Sequence, residues 1–136
     1  KNSGDSNSPI NLSNKSNERQ ESFNFTNSKS HKEFYADLSD LYDALLVVED
    51  SLNKSCESNR VIEYACDQLE ETIVLIDKLI TNLEIGKISK TASQSELSNL
   101  KQSITNFEPS ASPKEKVINI QLNKICDNLQ RLIQSY

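Results

Sequence analysis

The stretch IEYACDQLEETIVLIDKLITNL, residues 62–83, decides the fold. Ile62, Cys66, Leu69, Ile73, Ile76, Ile80 and Leu83 recur at spacings of four and three without a break. That 3.5-residue repeat is the seam of a helix wound against other helices. Val74, Leu75 and Leu79 widen the stripe, as a helix with more than one neighbour requires. The residues that follow position 30 read as its partners.

Upstream, Phe34, Leu38, Leu41, Leu45, Val48 and Leu52 carry the same repeat. Ser30 and Glu33 form an S-x-x-E capping box that starts this first helix. It is expected to end around Asn53 or Lys54. The short polar stretch NKSCESN, residues 53–59, then forces an antiparallel return, with Ser58 as the N-cap of the second helix. Gly86 after Ile85 suits a left-handed C′ residue, and Lys87 and Lys90 suit the negative end of a helix dipole.

Downstream, Ser93 and Glu96 make a second capping box and open a third helix with the seam Leu97, Leu100, Ile104 and Phe107, stopped by Pro109. Ser112, Pro113 and Glu115 supply cap, N1 and N3 of a fourth helix. Its seam is Ile118, Leu122, Ile125, Leu129, Leu132 and Tyr136. Concordant seams and caps predict an all-α fold, an antiparallel four-helix bundle over residues 30–136. Begun at Ser93, the third helix falls a few turns short of the others. The loop from Gly86 to Ala92 must cover that gap or leave a groove, and Ile88 is placed to plug it.

Residues 1–29 are dominated by Ser and Asn, with Ile10, Leu12, Phe23 and Phe25 as the sizeable apolar groups. Too little apolar surface is available there to offset ordering entropy, so the segment reads as a disordered, flexible tether. Position 1 is not Met, which is expected of a processed or trimmed chain. Two glycines and three prolines argue against a turn-rich β fold, and no apolar run approaches a membrane span.

The net charge of -5 argues against a nucleic-acid partner. From Lys32 to Glu84 there are 13 acidic and 4 basic residues, and from Ile85 to Tyr136 there are 4 acidic and 7 basic. Mutual support between two halves and solvated faces accounts for this split. An acidic surface that steers a basic partner accounts for it as well.

Chemistry is thinly represented. His31 is the single histidine and lies in the first turn of a helix, unlike a phosphotransfer imidazole. No glycine-rich phosphate loop, zinc spacing or inward Glu-x-x-His pair occurs, so no catalytic residue, metal ligand or cofactor is assigned. Cys56, Cys66 and Cys126 match no metal motif. They read either as small hydrophobic thiols or as one disulfide with a thiol left over, and a Cys66–Cys126 bond is disfavoured by their axial offset across the bundle.

Tyr64 is the surface position of most interest, because its helical phase points it outward. Arg60, Asp67, Gln68 and Glu71 lie three, four or seven residues away and share its face. An exposed Tyr beside Arg fits an interface hot spot, although single exposed aromatics are ordinary. The loop carrying Lys87, Ile88 and Lys90 is the second candidate for partner binding. Tyr35 and Tyr42 are expected to flank the core. Asn-x-Ser/Thr triplets at Asn11, Asn14, Asn24 and Asn53 match the frequency expected of so Asn- and Ser-rich a chain.

A tether opening KNSGDSNS and leading into a small Lys-, Asn- and Ile-rich helical bundle resembles the surface lipoproteins of Borrelia spirochaetes. In size and character the chain is most similar to the complement factor H-binding group of the relapsing-fever species. The resemblance implies a lipidated Cys just before Lys1, a membrane association through that anchor alone, and display at the bacterial outer surface. It also implies capture of a host plasma protein, complement factor H above all, for immune evasion. The competing expectation is an intracellular scaffold or adaptor module that binds partner helices.

Overall fold

The computed structural model describes residues 23–25, 28–108 and 111–136. Residues 1–22, including the sequons at Asn11 and Asn14, lie outside them, as does Pro109, the expected stop of the third helix. Four helices follow one another: α1 Ser28–Glu57, α2 Glu63–Glu84, α3 Lys90–Phe107 and α4 Pro113–Ser135. Short connections fold them into an antiparallel four-helix bundle. Each helix packs on the next, α4 returns to α1, and α2 and α4 approach across the diagonal.

The seams meet in one core. Phe34, Leu38, Leu41, Leu45, Val48 and Leu52 of α1 are all buried, as are Leu97, Leu100 and Ile104 of α3 and Ile118, Leu122, Ile125, Leu129 and Leu132 of α4. Each such side chain contributes about 1.5–3 kcal/mol relative to exposure, which is why the stripes choose the topology. Phe107 and Tyr136 close the ends of their seams half-buried.

The seam of α2 is corrected at its start. Val61 and Ala65 are buried while Ile62 is 67% exposed and Cys66 is only half-buried. Cys66 is turned toward α1, where it forms a disulfide with Cys56 (Cα–Cα 6.2 Å). That bond selects between the two readings of the cysteines and leaves Cys126 as a fully buried free thiol. Val74 and Leu75 do not widen the core, since each is 43% exposed, whereas Leu79 is fully buried.

Three caps fall elsewhere than expected. Ser30 lies inside α1, which begins at Ser28 and runs on to Glu57. The N-cap of α2 is Ile62, and Ser58 instead donates its hydroxyl to the Ser55 carbonyl at 3.2 Å. Ser89 caps α3 by accepting from the Ala92 N–H at 3.1 Å, one turn ahead of the Ser93 box. Ser93 is buried and donates to the Lys90 carbonyl at 2.7 Å. Starting at Lys90 gives α3 18 residues, so most of the expected gap is filled by helix rather than loop. The half-buried Ile88 packs against the core at the remaining step.

One expected helix stop and one expected start stand. Gly86 adopts φ +73°, and the Lys87 N–H reaches the Asn82 carbonyl at 2.9 Å, so α2 ends in a Schellman turn. Ser112 and Glu115 close the reciprocal capping box of α4 behind Pro113.

The boundary of the tether also moves. Phe23 and Phe25 pack against the core, and the Asn24 N–H donates to the Tyr136 carbonyl at 2.6 Å. Their rings join Phe34, Tyr35 and Tyr136 at centroid separations of 5.0 to 6.4 Å. Apolar rings with a ready-made platform at the α1 start and α4 end overcome the polar composition around them. The exposed His31 ring stands edge-on to Phe25 and Tyr35 within this cluster.

Candidate functional site

The N-terminal half of α2 presents a face of one kind. Tyr64, Asp67, Gln68 and Glu71 are three and four residues apart, and all are exposed, Tyr64 to 68%. Glu63 and Glu70 flank them, also exposed. Glu63–Asp67 and Asp67–Glu71 are like-charge pairs at i,i+4, each unfavourable by about 0.2–0.5 kcal/mol. Glu63 alone benefits from the positive end of the helix dipole, since it sits in the first turn.

The acidic character extends over the hairpin. None of the 13 carboxylates between Lys32 and Glu84 is buried. Among the described residues, Asp50 alone of these is in an ion pair, with Lys54 at 3.0 Å. Among the described residues, the rest of the hairpin's carboxylates therefore stand without a cationic partner. A second ion pair among the described residues, Lys101–Asp127 at 2.6 Å, ties α3 to α4, with Gln130 accepting from the same ammonium at 2.7 Å.

Arg60 does not belong to the Tyr64 face. The spacing argument needs helix at position 60, but α2 starts at Glu63 and Arg60 sits in the connection before it. There it lines a depression with Ser51, Lys54, Ser55, Ser58 and Lys114. Lys87, Ile88 and Lys90 lie at the opposite end of the 22-residue α2, roughly 30 Å from Tyr64. Lys87 is exposed in the turn, Ile88 is half-buried, and Lys90 is the first residue of α3. The two groups of candidate residues thus occupy opposite poles.

One exposed apolar residue joins the Tyr64 face, and another lies just ahead of the helix. Ile62, released from the core, is exposed at the N-cap of α2. Leu75 continues the Tyr64–Gln68–Glu71 row by another four residues, and lines a groove of about 540 Å³ with Lys78, Asn82, Glu96, Asn99, Leu100 and Ser103. The signal for Leu75 was present in its phase, about a quarter turn off the seam; for Ile62 none was, because it precedes the helix. Tyr42, expected to flank the core, lies at the edge of the α1–α2 interface.

Among the described residues no group of three His, Cys, Asp or Glu side chains is gathered to hold a metal, and no helix is long and apolar enough to cross a membrane. No family model matches the chain, and no curated protein and no solved structure matches it.

Proposed function

We propose that this chain is a non-enzymatic binding protein that captures a host plasma protein, complement factor H in first place, through the outward face of α2. The observation that carries the reading is the Tyr64 side chain, 68% exposed and flanked by carboxylates that are in no ion pair among the described residues. Aromatic anchors provide contact area at little entropic cost, and surrounding charge steers a basic partner into register.

The Cys56–Cys66 disulfide supports an oxidising compartment and weighs against the intracellular scaffold. The docking of Phe23 and Phe25 supports display from a surface. It brings the chain in at the pole shared by the α1 start and the α4 end, leaving the Tyr64 pole on the far side. A lipid anchor upstream of Lys1 is part of the same proposal, by resemblance to the Borrelia lipoproteins.

The test is direct binding of purified factor H to the immobilised chain at several salt concentrations. The expected result is saturable binding whose association rate falls steeply as salt rises. Association independent of salt, or no binding, would count against the acidic face.

A further inference from the structure

A depression at the far pole differs in charge from the hairpin around it. It encloses about 310 Å³ and is lined by Ser51, Lys54, Ser55, Ser58, Arg60 and Lys114. Three cations arrive from three segments: the last turn of α1, the α1–α2 connection and the first turn of α4. No carboxylate lines it, in a chain with 20 acidic and 15 basic residues. Lys54 is shared with Asp50, whereas Arg60 and Lys114 are in no ion pair among the described residues.

Ser55 supplies the second observation. It is 4% exposed, yet among the described residues its hydroxyl has no hydrogen-bond partner. Its carbonyl is engaged, accepting from the Ser58 hydroxyl at 3.2 Å and from the Arg60 N–H at 2.9 Å. Buried hydroxyls are nearly always satisfied, so an orphan in the wall of a cationic cavity marks a place for an acceptor.

We propose that this depression is an oxyanion site that takes a sulfate or phosphate group, free or as a monoester. Arg60 offers paired N–H donors, Lys114 a mobile point charge, and Ser51 and Ser55 hydroxyl donors. Ser58 already donates its hydroxyl hydrogen bond to the Ser55 carbonyl and shapes the wall. The arrangement is preset. Asn59 turns the chain at φ 60°, the Arg60 N–H fixes the return, and the Cys56–Cys66 bond spans the connection. At about 30 Å³ per water, the cavity exceeds the volume of one oxyanion and leaves room for an ester's remainder.

The test is a titration of the isotope-labelled chain with sodium sulfate and sodium phosphate against sodium chloride, at constant ionic strength, followed by amide chemical shifts. Saturable shifts at Ser55, Ser58, Arg60 and Lys114, with Lys87 and Lys90 unmoved, are expected. The Arg60→Gln, Lys114→Gln double variant should bind at least tenfold more weakly. Ser55→Ala, which leaves charge untouched, should weaken binding severalfold and decides the matter where the double variant fails to fold. Drift without saturation, equal shifts at Lys87 and Lys90, or undiminished binding by Ser55→Ala together with the folded double variant would overturn the proposal. Methyl sulfate and methyl phosphate separate the sources: tighter binding than the inorganic ions assigns the site to esters, and equal or weaker binding to the free ions.

Discussion

The Asn119 side-chain amide donates to the Ile104 carbonyl at 2.9 Å, crossing from α4 to the last turn of α3 in the buried interior. The Glu108 N–H, which a continuing helix would offer to Ile104, goes to Thr105 instead. Asn119 therefore satisfies a carbonyl that the end of α3 would leave unpaired. Asn119→Ala is expected to destabilise the bundle by about 1–3 kcal/mol, the cost of a buried acceptor without a partner. Urea unfolding followed by circular dichroism would show it as a lower midpoint with an unchanged slope. An unchanged midpoint would mean that the carbonyl finds another donor.

The Cys56–Cys66 bond closes a separation of ten residues across the α1–α2 connection. Constraining a loop of this length in the unfolded chain contributes roughly 3 kcal/mol. A melt in the presence of a phosphine reductant, or of the Cys56→Ser, Cys66→Ser variant, should show a clearly lower Tm. Equal melting temperatures would show that the bond adds nothing to stability.

Burial pushes the Cys126 thiol from its ordinary 9.0 up to about 12, with the nearby Lys101 ammonium opposing the rise. The native thiol stays protonated at pH 8 and should resist iodoacetamide until the protein is unfolded. Linkage gives a second consequence. The unfolded chain loses this proton at a lower pH than the native one, so the contribution to stability is complete below pH 9 and falls as pH rises from 9 toward 12. Cys126→Ala should flatten that fall in a pH series of urea midpoints, apart from a general loss from the smaller side chain.

Phe23 and Phe25 make the entry segment part of the domain. Phe23→Ala with Phe25→Ala should cost roughly 1–3 kcal/mol, because both rings are half-buried rather than enclosed. Near-ultraviolet dichroism should weaken as well, since the two rings pack against Phe34, Tyr35 and Tyr136. An unaltered spectrum and Tm would return the segment to the tether.

These predictions rest on features of unequal legibility in the sequence. The seams of α1 and α4 could be read position by position, because their apolar residues leave no rival register. On α2 the run could begin with Ile62 and Cys66 or with Val61 and Ala65, and side-chain size favoured the wrong pair. Only the distant Cys56 decides it, by drawing Cys66 toward α1. Ser89 and Ser93 were equivalent as caps by type; packing resolves them, since Ser93 is small enough to be buried against the core. Tyr64, Asp67, Gln68 and Glu71 followed from helical phase alone. Arg60 did not, because phase has no meaning before the helix starts. The basic depression joins residues 51–60 to Lys114, a juxtaposition that only the tertiary fold creates.

Capture of a plasma protein through the Tyr64 face is tested most directly by a pull-down from human serum, using the full chain beside its Tyr64→Ala, Glu71→Ala variant. Both positions are exposed, so the variant should keep its helicity and melting temperature. Factor H should be enriched on the parent chain and depleted at least tenfold on the variant. Equal retention by the two chains, or no serum protein on either, would contradict it.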